Sequence, residues 1–106
     1  MRRKSKKSSG NVFKDLGFEN ADEMLTKAKL LYRINQCIES RKLTQAKVAS
    51  ILEIPQSKVS LLMNGKLFGF SLEMLMHFLN LLSFNVEILL KPQRSSSLGR
   101  TIVRFA

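Results

Sequence analysis

The sequence predicts a small, mainly α-helical domain of four to five helices that ends in one C-terminal β-strand. Its 106 residues, 44% hydrophobic and 25% charged, fit one ordinary globular domain. Between residues 20 and 83 apolar residues recur at steps of three and four, which is the period of an amphipathic helix. After Asn85 the apolar spacing changes to two, which is the period of a strand.

Three segments are predicted from composition. Residues 1–10 hold five basic and no acidic residues, and we expect them to form a basic flexible arm. Residues 11–92 form the folded domain with its strand, and residues 93–106 are a Ser-rich linker and a basic tail. A short apolar cluster at the start of the domain is expected to dock on its body, and it consists of Val12, Phe13 and Leu16.

The first long helix begins at Asn20. Asn20 and Glu23 have the spacing of a capping box, and Asp22 and Glu23 suit the positive end of a helix dipole. The apolar pattern continues to about Arg41 or Lys42. The predicted inner face consists of Met24, Ala28, Leu31, Ile34 and Ile38.

Two short helices follow, separated by a tight turn. Thr44 is a favourable N-cap, with Leu43 and Val48 placed as a hydrophobic staple. This helix must end before Pro55, because the residue before a proline is disfavoured in helical conformation. The next helix is predicted over Gln56–Met63, with a stop at Asn64-Gly65. The inward residues are Val48, Ile51 and Leu52 in the first of the two helices, and Val59, Leu62 and Met63 in the second.

The last helix and the strand complete the domain. Ser71 caps the helix, whose buried stripe is predicted to be Leu72, Leu75, Phe78, Leu79 and Leu82. The alternating residues that follow end at Pro92, and an isolated strand must find a partner. Either the same strand of a second subunit or the segment Thr101–Phe105 can pair with it, and we favour the homodimer. The predicted dimer strand comprises Val86, Ile88, Leu89 and Leu90.

The charge favours a polyanionic partner. Eighteen Lys and Arg against eight Asp and Glu give a formal net charge of +10. Residues 41–66 hold five basic residues against Glu53, so positive charge also concentrates on the two short helices.

Other classes of function lack the residues they need. Cys37 is the only cysteine and His77 the only histidine, so we expect no disulfide, metal or cofactor, and no catalytic constellation. We therefore expect a protein that is not an enzyme. No apolar run approaches the length of a membrane span, and no apolar segment follows the basic start, so we expect a cytoplasmic protein without membrane contact.

The two short helices have the dimensions of a helix-turn-helix, whose second helix can enter the DNA major groove. The residues predicted to project outward and contact bases are Gln56, Ser57, Lys58, Ser60 and Leu61. Gln pairs with adenine, Lys donates to guanine or phosphate, Ser does either and Leu suits a thymine methyl group. No carboxylate in this set repels DNA. Phosphate contacts are predicted for Thr44, Gln45, Lys47, Asn64 and Lys66.

The motif resembles a known family. Thr44 to Ala49, Ile54 to Ser60 and Asn64-Gly65 look like the Xre/Cro-type, lambda-repressor-like helix-turn-helix of phage repressors. Val12 to Gly17, Asn20-Ala21, Phe70 to Glu73 and Val86 to Ile88 resemble a compact bacterial subgroup that includes HigA-type antitoxins. The resemblance covers roughly residues 11–92. It implies that Gln45 contacts a phosphate and braces the recognition helix, while Gln56, Ser57, Lys58 and Leu61 read bases. The sequence departs from the family pattern at Glu53, where Gly often stands, and at Pro55, where Ser or Thr often stands.

These observations predict a sequence-specific, double-stranded DNA-binding repressor that acts as a homodimer on a palindromic operator, that of its own operon. The resemblance further implies an antitoxin with a toxin protein as partner, and a phage or general regulator is the next reading. A different class is an RNA-binding or ribosome-associated module. Tyr32 and seven Phe, mostly at core spacing, provide no evident stacking platform for that class.

Overall fold

The computed structural model of the chain describes residues 10–17, 19–95 and 97–106. The predicted basic arm lies outside this part of the chain, except for Gly10. The predicted mainly helical fold is confirmed. The described residues form the helices α1 (Val12–Asp15), α2 (Ala21–Ser40), α3 (Gln45–Leu52), α4 (Gln56–Met63) and α5 (Leu72–Leu81), with a 3₁₀ turn at Leu67–Gly69 between the last two.

One hydrophobic core joins four of these helices. The long helix α2 packs on α5, and α3 packs on α4, so that the second pair is held against the first. Burying apolar side chains from these four helices is the main stabilising contribution to such a fold. The fully buried apolar residues are Ile34, Val48, Val59, Leu62, Leu75 and Leu82.

The predicted helix starts are confirmed at Thr44 and Ser71. The Thr44 hydroxyl accepts a hydrogen bond from the Lys47 backbone N–H at 3.1 Å, and the Ser71 hydroxyl accepts one from the Met74 N–H at 3.1 Å. The capping box at Asn20 is wrong, although α2 does begin after this residue. Asn20 has φ −101° and ψ 44°, outside the extended region usual for a capping side chain, and its side chain makes no capping hydrogen bond.

The attachment of α1 depends on a polar residue. Asn11 is only 1% exposed, and its side-chain oxygen accepts hydrogen bonds from the backbone N–H groups of Phe13 and Lys14 at 3.0 and 3.2 Å. Its amide donates to the Ala21 carbonyl at 3.1 Å. The expected docking of Val12 and Leu16 is wrong, since both side chains are exposed. The buried amide is satisfied on both sides and ties α1 to the start of α2.

The predicted C-terminal strand is not confirmed. Residues 84–95 and 97–106 contain no strand, and their backbones form no ladder with one another. The two segments nevertheless lie near each other and, with α2 and α5, line an open groove of about 520 Å³. A strand needs backbone hydrogen bonds to a neighbour, and the described part of a single chain supplies none to the segment 86–90.

Side chains hold the tail near the body of the domain. The Arg33 guanidinium on α2 lies 5.0 Å from the centre of the Phe84 ring and 5.8 Å from that of Phe105. Arg100 pairs with Asp22 at 3.4 Å, and both side chains are about half exposed. The tail therefore returns to α2 through one cation–π pair and one weak ion pair.

Candidate nucleic-acid interface

The helices α3 and α4 are fixed to each other and to the core. Val48 and Leu52 of α3, and Val59 and Leu62 of α4, are buried. Between the helices, Glu53 adopts a left-handed conformation with φ 59° and ψ 44°, and the Ile54 N–H donates to the Ala49 carbonyl at 3.2 Å. These contacts define a helix-turn-helix whose second helix is anchored along one side only.

A polar side chain on α2 also positions α4. The Asn35 amide donates to the Leu62 carbonyl at 3.0 Å, near the C-terminal end of α4. This carbonyl also accepts from the Gly65 N–H at 3.1 Å. Because Leu62 is itself buried, this hydrogen bond fixes the position of α4 along α2 and the rotation of α4 about its own axis.

The face of α4 opposite Val59 and Leu62 points into solvent. Gln56 and Ser57 are exposed, Leu61 is 42% exposed, and Ser60 is half-buried. The Asn64 amide lies 3.5 Å from the Ser60 hydroxyl, at the limit of a hydrogen bond. Four of the five predicted base-contacting residues therefore share one surface.

The remaining member of that set, Lys58, faces away from the centre of this surface. Its ammonium donates to the Gly69 carbonyl at 3.0 Å and lies 5.1 Å from the centre of the Phe70 ring. The side chain is therefore engaged by the 3₁₀ turn that follows α4. In this structure Lys58 lies beside the outward surface, and its ammonium is directed to the 3₁₀ turn.

The predicted phosphate-contacting residues lie at two places beside α4. Thr44, Gln45 and Lys47 are exposed at the start of α3. The N–H groups of Gln45 and Ala46 make no hydrogen bond to a described residue, so they remain available to an anion. Asn64 and Lys66 are exposed after the end of α4.

Two exposed residues near α4 were not predicted from the sequence. Met63 was predicted to face inward, but it is 38% exposed, because α4 turns only Val59 and Leu62 fully to the core. Phe68, in the 3₁₀ turn, is 80% exposed. Its exposure carries no sequence signal, since Leu67, Phe68 and Phe70 are all apolar and the chain here has no regular period.

The predicted dimer residues lie outside the helix-turn-helix. Val86 is half-buried, whereas Ile88, Leu89 and Leu90 are exposed. The structure brings them together with the tail along the groove, as described above.

Other kinds of site have little support within the described ranges. Residues 10–17, 19–95 and 97–106 contain no group of three His, Cys, Asp or Glu side chains suited to a metal ion. Cys37 is a buried free thiol. No helix in the same ranges is both long and apolar enough to cross a bilayer.

This fold, with an anchored α3 and an outward, acid-free α4, defines the class of helix-turn-helix proteins. Comparison with known proteins agrees. A family described as a helix-turn-helix domain matches residues 12–91. A solved structure provisionally named as an XRE family transcriptional regulator is 44% identical, with a TM-score of 0.76, over 82% of this chain and 99% of that one. A search of curated proteins gave no match.

The chain therefore belongs to the XRE-type helix-turn-helix family of transcriptional regulators. This membership confirms the predicted family. It also places the protein among regulators of transcription that bind DNA, a kind of protein that is not an enzyme.

Proposed function

We propose that the protein is a sequence-specific repressor that binds a palindromic operator as a homodimer, with α4 in the major groove. The observation that carries the proposal is the outward face of α4, which is polar, free of acidic residues and held in place by Val59, Leu62 and Asn35. From Ile54 to Leu72 the sequence contains no Asp or Glu. A surface of this kind can approach phosphates and base edges without charge repulsion.

Each outward residue can contact a particular chemical group on a base edge. Gln56 can form a bidentate pair with adenine, and Ser57 and Ser60 can donate to or accept from a base edge. Leu61 suits a thymine methyl group. Lys58 was predicted as a base contact as well, but to reach a base it must first leave the Gly69 carbonyl. We therefore assign it a positioning role.

The contacts to phosphate come from both sides of α4 in this proposal. Thr44 and Gln45 offer the N-terminus of α3, and Lys47 adds a charge there. Asn64 and Lys66 offer an amide and an ammonium after α4. Such contacts fix the register of the protein on the duplex, and they leave the choice of sequence to the base contacts.

The homodimer is proposed through the segment 86–90. Its backbone has no hydrogen-bond partner in the described chain, and Ile88, Leu89 and Leu90 expose large apolar side chains. Pairing with the same segment of a second subunit about a two-fold axis gives the backbone its hydrogen-bond partners and buries the apolar side chains. A dimer that binds a palindrome must place its two copies of α4 about 34 Å apart, one turn of DNA.

The biological setting is proposed from the resemblance to the subgroup that includes HigA-type antitoxins. On that basis the protein acts in the cytoplasm, represses its own operon and neutralises a toxin protein encoded beside it. Co-expression with the neighbouring reading frames tests this part of the proposal. Recovery of a stable complex with a neighbouring product supports it, and purification of the chain without any such product contradicts it.

DNA reading is tested by selecting binding sites from a random duplex library with the full chain and with two variants. Gln56→Ala should relax the preference at one base position and cost about 1–3 kcal/mol of discrimination there. Lys47→Ala is the matched control and should weaken binding to all sequences alike. Unchanged selection by Gln56→Ala contradicts α4 as the reading helix. Preferential binding of RNA over duplex DNA supports the RNA-binding alternative instead.

A further inference from the structure

Phe68 is an aromatic side chain exposed directly beside the recognition helix. It belongs to the 3₁₀ turn Leu67–Gly69, which follows α4 after two residues of turn and Lys66. Single exposed apolar residues are common on protein surfaces. The residue that follows Phe68, however, lies beside Leu61 of α4, because a Cβ placed on Gly69 would be 3.9 Å from Leu61 Cδ1. Leu61 is itself partly exposed.

The fold holds Phe68 on the surface. At one end of the turn, the Lys66 N–H donates to the Leu61 carbonyl at 3.1 Å. At the other end, Phe70 is buried against Phe78, with ring centres 6.0 Å apart. The hydrogen bond from Lys58 to the Gly69 carbonyl fastens the last residue of the turn to α4. Because its neighbours in the chain are fixed in this way, Phe68 stays exposed in the turn beside α4.

The segment that contains α4 and Phe68 also exposes polar and basic residues and holds no acid. Ser57 is exposed on α4, Lys66 is exposed two residues before Phe68, and the first acidic residue after Glu53 is Glu73. A partner that matches such a surface must combine negative charge with small apolar groups. Duplex DNA offers this combination in the major groove, where the C5-methyl group of thymine is the apolar feature among the base edges.

We propose that Phe68 is a specificity-determining residue that contacts a thymine methyl group together with Leu61. The inference rests on the proposed reading of DNA by α4 and extends it beyond that helix. It requires that the selected operator contain thymine at a defined position toward the edge of the α4 contact. It also requires that the contact depend on the methyl group and not on the rest of the base pair.

The test uses the site selected by the full chain and replaces each thymine in turn by deoxyuridine, which lacks the methyl group. For the unaltered protein, one or two replacements should weaken binding about fourfold each, the effect of one buried methyl group. Phe68→Ala should lose a similar factor on the thymine site. At the same position, deoxyuridine should then cost this variant clearly less than it costs the unaltered protein, because only Leu61 still contacts the methyl group. Phe68→Leu should retain part of the effect.

Tyr32→Ala is the matched control, because Tyr32 is another exposed aromatic residue, on α2. This variant should bind every site as the unaltered protein does. Equal deoxyuridine effects in the unaltered protein and Phe68→Ala would overturn the inference. So would a loss by Phe68→Ala that is the same for all sequences, which marks a contact to the sugar-phosphate backbone. If the unaltered protein selects no sequence at all, that result contradicts the proposed function itself and not only the role of Phe68.

Discussion

At the scale of single residues, Lys58 shows how a basic side chain beside a DNA-reading surface can act within the protein. Its ammonium has two intramolecular partners, the Gly69 carbonyl and the Phe70 ring. Both belong to the segment that follows α4, and Phe70 is buried in the core. The lysine therefore connects α4 to the 3₁₀ turn and supports the position of Phe68.

Replacing Lys58 by alanine should lower the free energy of unfolding by about 1 kcal/mol. A hydrogen bond to a charged group contributes more than this when buried, but Lys58 is half-buried and partly screened by water. Urea denaturation measures the change. Lys66→Ala is the control, because Lys66 is exposed and its side chain makes no hydrogen bond within the described ranges. It should unfold like the unaltered protein.

The same variant separates the two roles of Lys58 in DNA binding. As a positioning residue, Lys58 affects every sequence through the turn, so Lys58→Ala should weaken binding by the same factor on all sites. A relaxed preference at one base position would instead show that the side chain leaves Gly69 and reads a base.

At the scale of the elements, the four longer helices end in the same way. Each is followed by a residue with positive φ, and the next residue donates its N–H to the carbonyl five positions earlier. This Schellman-type ending satisfies carbonyl groups that the helix leaves free. The residues with positive φ are Lys42, Glu53, Gly65 and Ser83, so only one of the four is a glycine.

Glu53 is the ending that affects the interface, because it forms the turn between α3 and α4. A left-handed conformation costs a residue with a Cβ about 1–2 kcal/mol relative to glycine. Part of this gain is offset, because glycine has more conformational freedom in the unfolded chain and loses more entropy on folding. Glu53→Gly should therefore raise the free energy of unfolding by about 0.5–1 kcal/mol, measured by chemical denaturation.

Glu53→Ala is the matched control for this prediction. It removes the same carboxylate but keeps a Cβ in the left-handed conformation, so it should give no comparable gain in stability. Equal stabilisation by alanine and glycine would show that the charge of Glu53, and not its backbone conformation, opposes folding.

At the scale of the whole molecule, the segment that follows α5 leaves apolar side chains exposed in a single chain. The segment 86–90 exposes three large apolar side chains, and its backbone lacks strand hydrogen bonds. The tail lines the other wall of the same groove. Burial of each such side chain contributes about 1.5–3 kcal/mol, which a second subunit can supply.

If the protein is the proposed homodimer, Leu89→Lys should convert it to monomers, because Leu89 is 80% exposed in the single chain and the substitution places a charge in the proposed seam. Sedimentation velocity at micromolar concentration measures the change in mass. Leu16→Lys is the control, since Leu16 is also exposed but lies directly after α1 and does not line the groove. A dimer that survives Leu89→Lys would exclude this segment as the seam.

The amino-acid pattern was sufficient to predict the four longer helices and, apart from Met63, the side of each that is buried. Local chemistry is sufficient there: Thr44 and Ser71 cap their helices, Pro55 limits α3, and the spacing of Val59 and Leu62 orients α4. The family motif is carried by the same local pattern, which is why the helix-turn-helix was predictable from residues close together in the chain.

The side-chain contacts from one element to another depend on the tertiary fold. Lys58 meets Gly69, eleven residues later, and Asn35 meets Leu62, twenty-seven residues later, and no local pattern encodes either pairing. The burial of Asn11 and the exposure of Val12 are likewise not encoded by a local pattern. The predicted strand was not formed because strand pairing depends on a partner backbone. A helix forms its backbone hydrogen bonds within its own segment. A strand needs a neighbouring backbone, and a side chain can make a distant contact only where the fold brings a partner beside it.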